Sequence, residues 1–82
     1  MQAATAAEIR AEMAAMKLTK FELADRIGIS HQSVGRYTEG KRPIPFPVVI
    51  DIGDALGIGV RELLRRAYAR IGVKDVEQSQ TE

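Results

Sequence analysis

Lys20-Phe21-Glu22-Leu23-Ala24-Asp25-Arg26-Ile27-Gly28-Ile29-Ser30-His31-Gln32-Ser33-Val34-Gly35-Arg36-Tyr37 decides the fold. Thr19, just before it, and Glu22 have the spacing of a capping box, in which each side chain satisfies a backbone N–H at a helix start. Leu18 ahead of the cap can pack on Leu23 as a hydrophobic staple. Leu23, Ala24 and Ile27 then form an inward stripe, and Gly28 supplies the left-handed residue that ends the helix. Ile29 is a buried link, and Ser30 is a natural N-cap for a second short helix beginning at His31. Val34 and Tyr37 give that helix its inner face, and Gly40 closes it.

Two short helices joined by a glycine corner must cross steeply. Ala24 is small enough for close approach, while Leu23, Ile29, Val34 and Tyr37 fill the wedge. Periodicity then leaves His31, Gln32, Ser33, Gly35 and Arg36 on the outer side, an edge of hydrogen-bonding or small residues. A helix of this width enters the major groove of DNA, where Gln pairs with adenine and Arg with guanine through two hydrogen bonds each.

Outward from this segment, Thr5 and Glu8 repeat the capping-box spacing, and Ile9, Met13 and Met16 make one apolar stripe, so a first helix is expected over Ala6–Met16. Pro43, Pro45 and Pro47 hold Arg42, Ile44 and Phe46 extended and make Lys41–Pro47 a stiff loop. Pro47 suits the first turn of a fourth helix whose apolar side is Val48, Val49, Ile52 and Leu56, stopped by Gly57. A fifth helix begins near Val60, presents Leu63, Leu64, Ala67, Tyr68 and Ile71, and is expected to end at Gly72. The whole is an all-α, compact five-helix bundle over residues 5–71, followed by a polar, disordered tail over 72–82.

Composition excludes several classes. The chain has 82 residues, 45% hydrophobic and 28% charged, the profile of a small soluble domain, and no run of about 18 apolar residues that a membrane span needs. It has no cysteine and one histidine, so no disulfide or metal site is expected. Gly57-Ile58-Gly59 lacks the preceding strand and third glycine of a nucleotide-binding turn. No base–nucleophile pattern stands out, so neither an enzyme nor a cofactor is expected. The net charge of +1 divides into +3 over residues 1–71 and −2 over the last eleven, too weak a bias to identify a partner.

Leu18 through Ser30, with Glu39-Gly40-Lys41, Ala55-Leu56-Gly57-Ile58 and Arg61-Glu62-Leu63-Leu64, resembles the phage repressor/Cro family of helix-turn-helix regulators, over roughly Ile9–Leu64. The resemblance implies a five-helix repressor-like DNA-binding domain, commonly dimeric on a near-palindromic operator. By position it implies that His31, Gln32, Ser33 and Arg36 meet bases and that Lys20, Lys41 and Arg42 meet phosphates. Lys20 departs from the glutamine usual at its place. Met13 and Thr38 stand where many relatives pair an arginine with a glutamate, and replacing such a buried pair by apolar packing is compatible with the fold.

Tyr68 and Ile71 lie beyond what a small core needs and, with Phe46, offer a dimer contact; simple packing on the first helix is the plainer alternative. Arg61, Arg65, Arg66 and Arg70 suit a solvated face, with phosphate contact or a dimer salt bridge as other uses. The expected partners are double-stranded DNA and a second copy, in the cytoplasm, without a membrane or small-molecule effector. A transcriptional repressor fits best. An antitoxin or other protein-interaction module, or the controller of a restriction–modification operon, uses the same helices.

Overall fold

In the computed structural model, which describes residues 2–80 and their side chains through Ile71, the chain forms α1 (Gln2–Met16), α2 (Lys20–Ile27), α3 (His31–Thr38), α4 (Phe46–Ala55) and α5 (Gly59–Gln80). Among the described residues there is no strand, and no helix is long and apolar enough to cross a membrane. The all-α five-helix architecture is the one the sequence predicts.

The central corner forms as its residues dictate. The Thr19 N–H donates to Glu22 Oε1 at 3.0 Å and the Glu22 N–H donates to Thr19 Oγ1 at 3.1 Å, completing the capping box. Hydrogen bonding to the Thr19 backbone first, and then to its side chain, holds the Glu22 carboxyl below its ordinary pKa. Gly28 has φ 75° and donates its N–H to the Ala24 carbonyl at 2.8 Å. The Ser33 N–H then donates to Ser30 Oγ at 3.1 Å, starting α3. Gly40, also at φ 75°, ends α3 by turning the Lys41 N–H onto the Arg36 carbonyl at 3.0 Å.

One core joins all five helices. Ile9 of α1, Leu23 of α2, Val34 of α3, Ile52 of α4 and Leu63 of α5 are fully buried, with Met13, Leu18, Tyr37, Ile44, Val49 and Leu56 around them. Ile29 is half-buried against this cluster rather than fully inside it.

Three boundaries differ from expectation. Thr5 and Glu8 do not cap a helix; α1 starts at Gln2, and both residues are buried within it. The face carrying Glu8 is covered by α5, whose Arg70 Nε donates to Glu8 Oε1 at 2.7 Å, while Gln2 Oε1 accepts from the Ile44 N–H at 2.9 Å and fastens the early turn to the proline loop. Phe46 is not extended but opens α4, with Pro45 as N-cap and Pro47 in the first turn, where its missing N–H costs no helical bond. Helix α5 runs past Gly72, since a glycine lowers helix propensity by about 1 kcal/mol without forbidding the helix. The expected polar tail over 72–82 lies outside the residues whose side chains are described.

Ion pairs lace α1 to α5. Arg65 and Arg66 both donate to Glu62, at 2.6–2.8 Å, and Arg66 Nη1 reaches across to Glu12 Oε2 at 2.6 Å. Arg65, Arg66 and Arg70 therefore hold the domain's own carboxylates. Hydrogen bonds from Arg65 and then Arg66 pull the Glu62 carboxyl down to about 2, and Glu12 is lowered by a hydrogen bond with Glu8 and then by Arg66. A carboxyl depressed in the folded state adds stability above its ordinary value and loses it as pH falls through the folded one. Stability should therefore decline from about pH 4.5 toward about pH 2, and Glu62→Gln should flatten that decline in acid-dependent unfolding curves. A variant with the wild-type acid profile would show that Glu62 carries no part of it.

Candidate nucleic-acid interface

Burial of Val34 and Tyr37 sets the rotation of α3 and leaves Gln32 and Arg36 exposed on the opposite side. His31, the first residue of α3, is half-exposed. Ser33 is half-exposed as well, and its hydroxyl oxygen accepts from Ser30 Oγ at 2.9 Å, which leaves its own proton and one lone pair for a further partner. Hydrogen-bonding groups thus line the outer edge, with no large apolar side chain among them.

Gly35 corrects the sequence reading. It is buried, not on the outer edge. A Cβ built there would stand 3.8 Å from Glu39 Oε2 and 3.9 Å from both Cδ and Nζ of Lys20. The side chain of Lys20 therefore lies along the backbone of α3, covering the glycine from the N-terminus of α2. Lys20 Nζ also sits 5.5 Å from the centre of the Phe21 ring, which packs on the His31 ring at 4.7 Å between centroids.

The phosphate candidates differ in environment. Lys20 and Arg42 are exposed. Lys41 is exposed and pairs with Glu39 at 3.3 Å, a contact that solvent screens strongly. The structure brings Lys20, His31, Glu39 and Lys41 together around Gly35 and Phe21. Phe46 and Tyr68, 57% and 61% exposed, stand elsewhere on α4 and α5, and Ile71 is half-buried on α5.

Sequence reasoning missed Phe21 and Glu39. The signal for Phe21 was present: it falls off the Leu23–Ala24–Ile27 stripe and so had to be exposed. It also missed two cross-helix ties. Arg10 of α1 donates Nη1 to the Thr38 carbonyl at the end of α3, and Arg26 of α2 donates Nη1 to the Ala55 carbonyl at the end of α4, at 3.0 Å. Each places a cation where a helix terminus carries partial negative charge. Met13 and Thr38 are both buried without an ion pair between them, and Thr38 Oγ1 donates to the Gly35 carbonyl at 3.2 Å.

Among the described residues no cluster of His, Asp and Glu is placed to hold a metal ion. No curated protein matches the sequence. The crystal structure of the clp gene regulator ClgR from Corynebacterium glutamicum matches with a TM-score of 0.82 at 20% identity, covering 98% of this chain and 85% of that one. That likeness shows a shared fold. The helix-turn-helix family profile matches residues 9–63, which span α2, the Gly28 corner, α3 and α4 with the flanking parts of α1 and α5. The chain belongs to the Cro/C1-type helix-turn-helix family of DNA-binding regulators.

Proposed function

We propose that the chain binds double-stranded DNA sequence-specifically and acts as a transcriptional repressor, as a dimer on a near-palindromic operator, by occluding a promoter. The observation that carries this reading is the exposure of Gln32 and Arg36 on α3 opposite buried Val34 and Tyr37. Arg36 would meet guanine and Gln32 adenine, with His31 and Ser33 on adjoining positions. Lys20, Lys41 and Arg42 would hold phosphates and fix the register without choosing sequence. Two such helices about 34 Å apart fit successive major grooves on one DNA face. Exposed Phe46 and Tyr68, with Ile71, are the surfaces offered to the second subunit.

Selection of binding sites from a random duplex pool tests this. An inverted repeat should emerge. Arg36→Ala should relax choice at one base pair per half-site and cost about 1–3 kcal/mol in a competition shift assay. Lys41→Ala should weaken every duplex alike and lower the slope of log affinity against log salt by about one. Unchanged preference in Arg36→Ala refutes the base assignment, and tight binding to a co-purifying protein with no duplex preference would point to an interaction module.

A further inference from the structure

Phe21 is a large apolar ring left 55% exposed in the first turn of α2. It adds little to the core, yet it touches two groups assigned to DNA. Its ring packs against His31 at 4.7 Å between centroids, tilted by 45°, and the ammonium of Lys20 lies 5.5 Å from its centre. His31 opens α3 and Lys20 opens α2, so this ring bridges the N-termini of both helices of the corner. On its other side Lys20 lies beside Gly35 of α3, with its Cδ and Nζ each 3.9 Å from where a Cβ would stand.

We propose that Phe21 is a positioning residue for DNA binding, whose ring orders Lys20 and His31 before the duplex arrives. This rests on the reading of α3 as the DNA-facing helix. A free lysine is a mobile point charge that loses rotamer freedom when it grips a phosphate. Contact with an aromatic face on one side and a helix backbone on the other removes part of that freedom in advance, so less is lost on binding. The imidazole is restrained by the same ring. Phe21 thus lends Lys20 a directionality that its flexible chain does not have by itself.

The probe is a duplex selected from a random-sequence pool by the wild-type chain. Phe21→Ala should weaken its binding about five- to tenfold, with the thermal midpoint of the free protein and the salt slope both retained, because no charge is removed. Phe21→Tyr should stay within about twofold of wild type, since it keeps the ring. In a Lys20→Ala/His31→Ala background, Phe21→Ala should change affinity by less than about twofold, the sign of a residue acting through those two. An equal loss in both backgrounds overturns the proposal in favour of direct contact between ring and DNA. Wild-type affinity in Phe21→Ala overturns it outright, provided that Arg36→Ala still alters preference on the same duplex. If Arg36→Ala also changes nothing, the reading of α3 is what fails.

Discussion

Gly53→Ala is expected to destabilise the domain by about 2–3 kcal/mol, at the upper end of what overpacking a core costs. Gly53 lies inside α4 and is buried. A Cβ there would come within 2.7 Å of Gly59 C and Val60 N, and 2.9 Å of Gly59 O, all backbone atoms of the turn into α5. These atoms cannot swing aside like a side-chain tip. The turn is fixed by left-handed Gly57 and by the Ile58 N–H, which donates to the Gly53 carbonyl at 3.2 Å. To admit a methyl, α4 and α5 must separate along the seam that buries Ile52 and Leu63. The steric cost therefore outweighs the roughly 1 kcal/mol of helix propensity that alanine gains over glycine.

Gly35→Ala is the matched control. Both glycines are helical and buried, but the new methyl at residue 35 meets only side-chain atoms of Glu39 and Lys20, at ordinary contact distances of 3.8–3.9 Å. That substitution should stabilise the free protein by about 0.5–1 kcal/mol. Thermal unfolding reads both, since 1 kcal/mol moves the midpoint of a domain this size by about 4–8 °C. Two shifts of the same sign would mean that local helix propensity, rather than packing against the α5 turn, governs these positions.

The difference between those glycines marks what sequence can convey. Turns written in local chemistry were legible: Thr19 with Glu22, Gly28, Ser30 and Gly40 each act on backbone groups within a few residues of themselves. So was the outward edge of Gln32 and Arg36, because fixing Val34 and Tyr37 inside fixes the opposite side by geometry. Contacts between distant segments were not. Gly53 reads as a weak helix residue until α5 is laid beside it. Gly35 reads as outward-facing until Lys20 folds over it. The Thr5–Glu8 spacing is the same as that of Thr19–Glu22, yet only one pair caps a helix. What separates them is Arg70, 62 residues away from Glu8, and the burial it accompanies.

Leu23→Ala should cost about 3–5 kcal/mol, within the range for truncating a fully buried leucine. At roughly 0.05–0.15 kcal/mol per residue, that is a large part of the total stability of a chain this short. Leu23 packs in the same cluster as Ala24, Val34 and Tyr37, so the void falls in the wedge that holds α2 against α3, and the partly buried Ile27 and Ile29 beside it cannot fill it without reopening the corner. Phe21→Ala, two residues earlier on the same helix, removes a larger side chain yet should change stability by no more than about 0.5 kcal/mol, because that ring is mostly in water. The two variants should therefore separate folding from binding: Leu23→Ala weakens DNA binding only as far as it depletes the folded state, and Phe21→Ala weakens it from an intact fold. A ligand that binds only the folded form adds about 2.7 kcal/mol at a hundredfold excess over its dissociation constant. A selected operator duplex should thus recover most of the lost midpoint in Leu23→Ala, and a scrambled duplex much less. Equal recovery by both duplexes would show that the corner held by Leu23 grips DNA without discriminating among sequences.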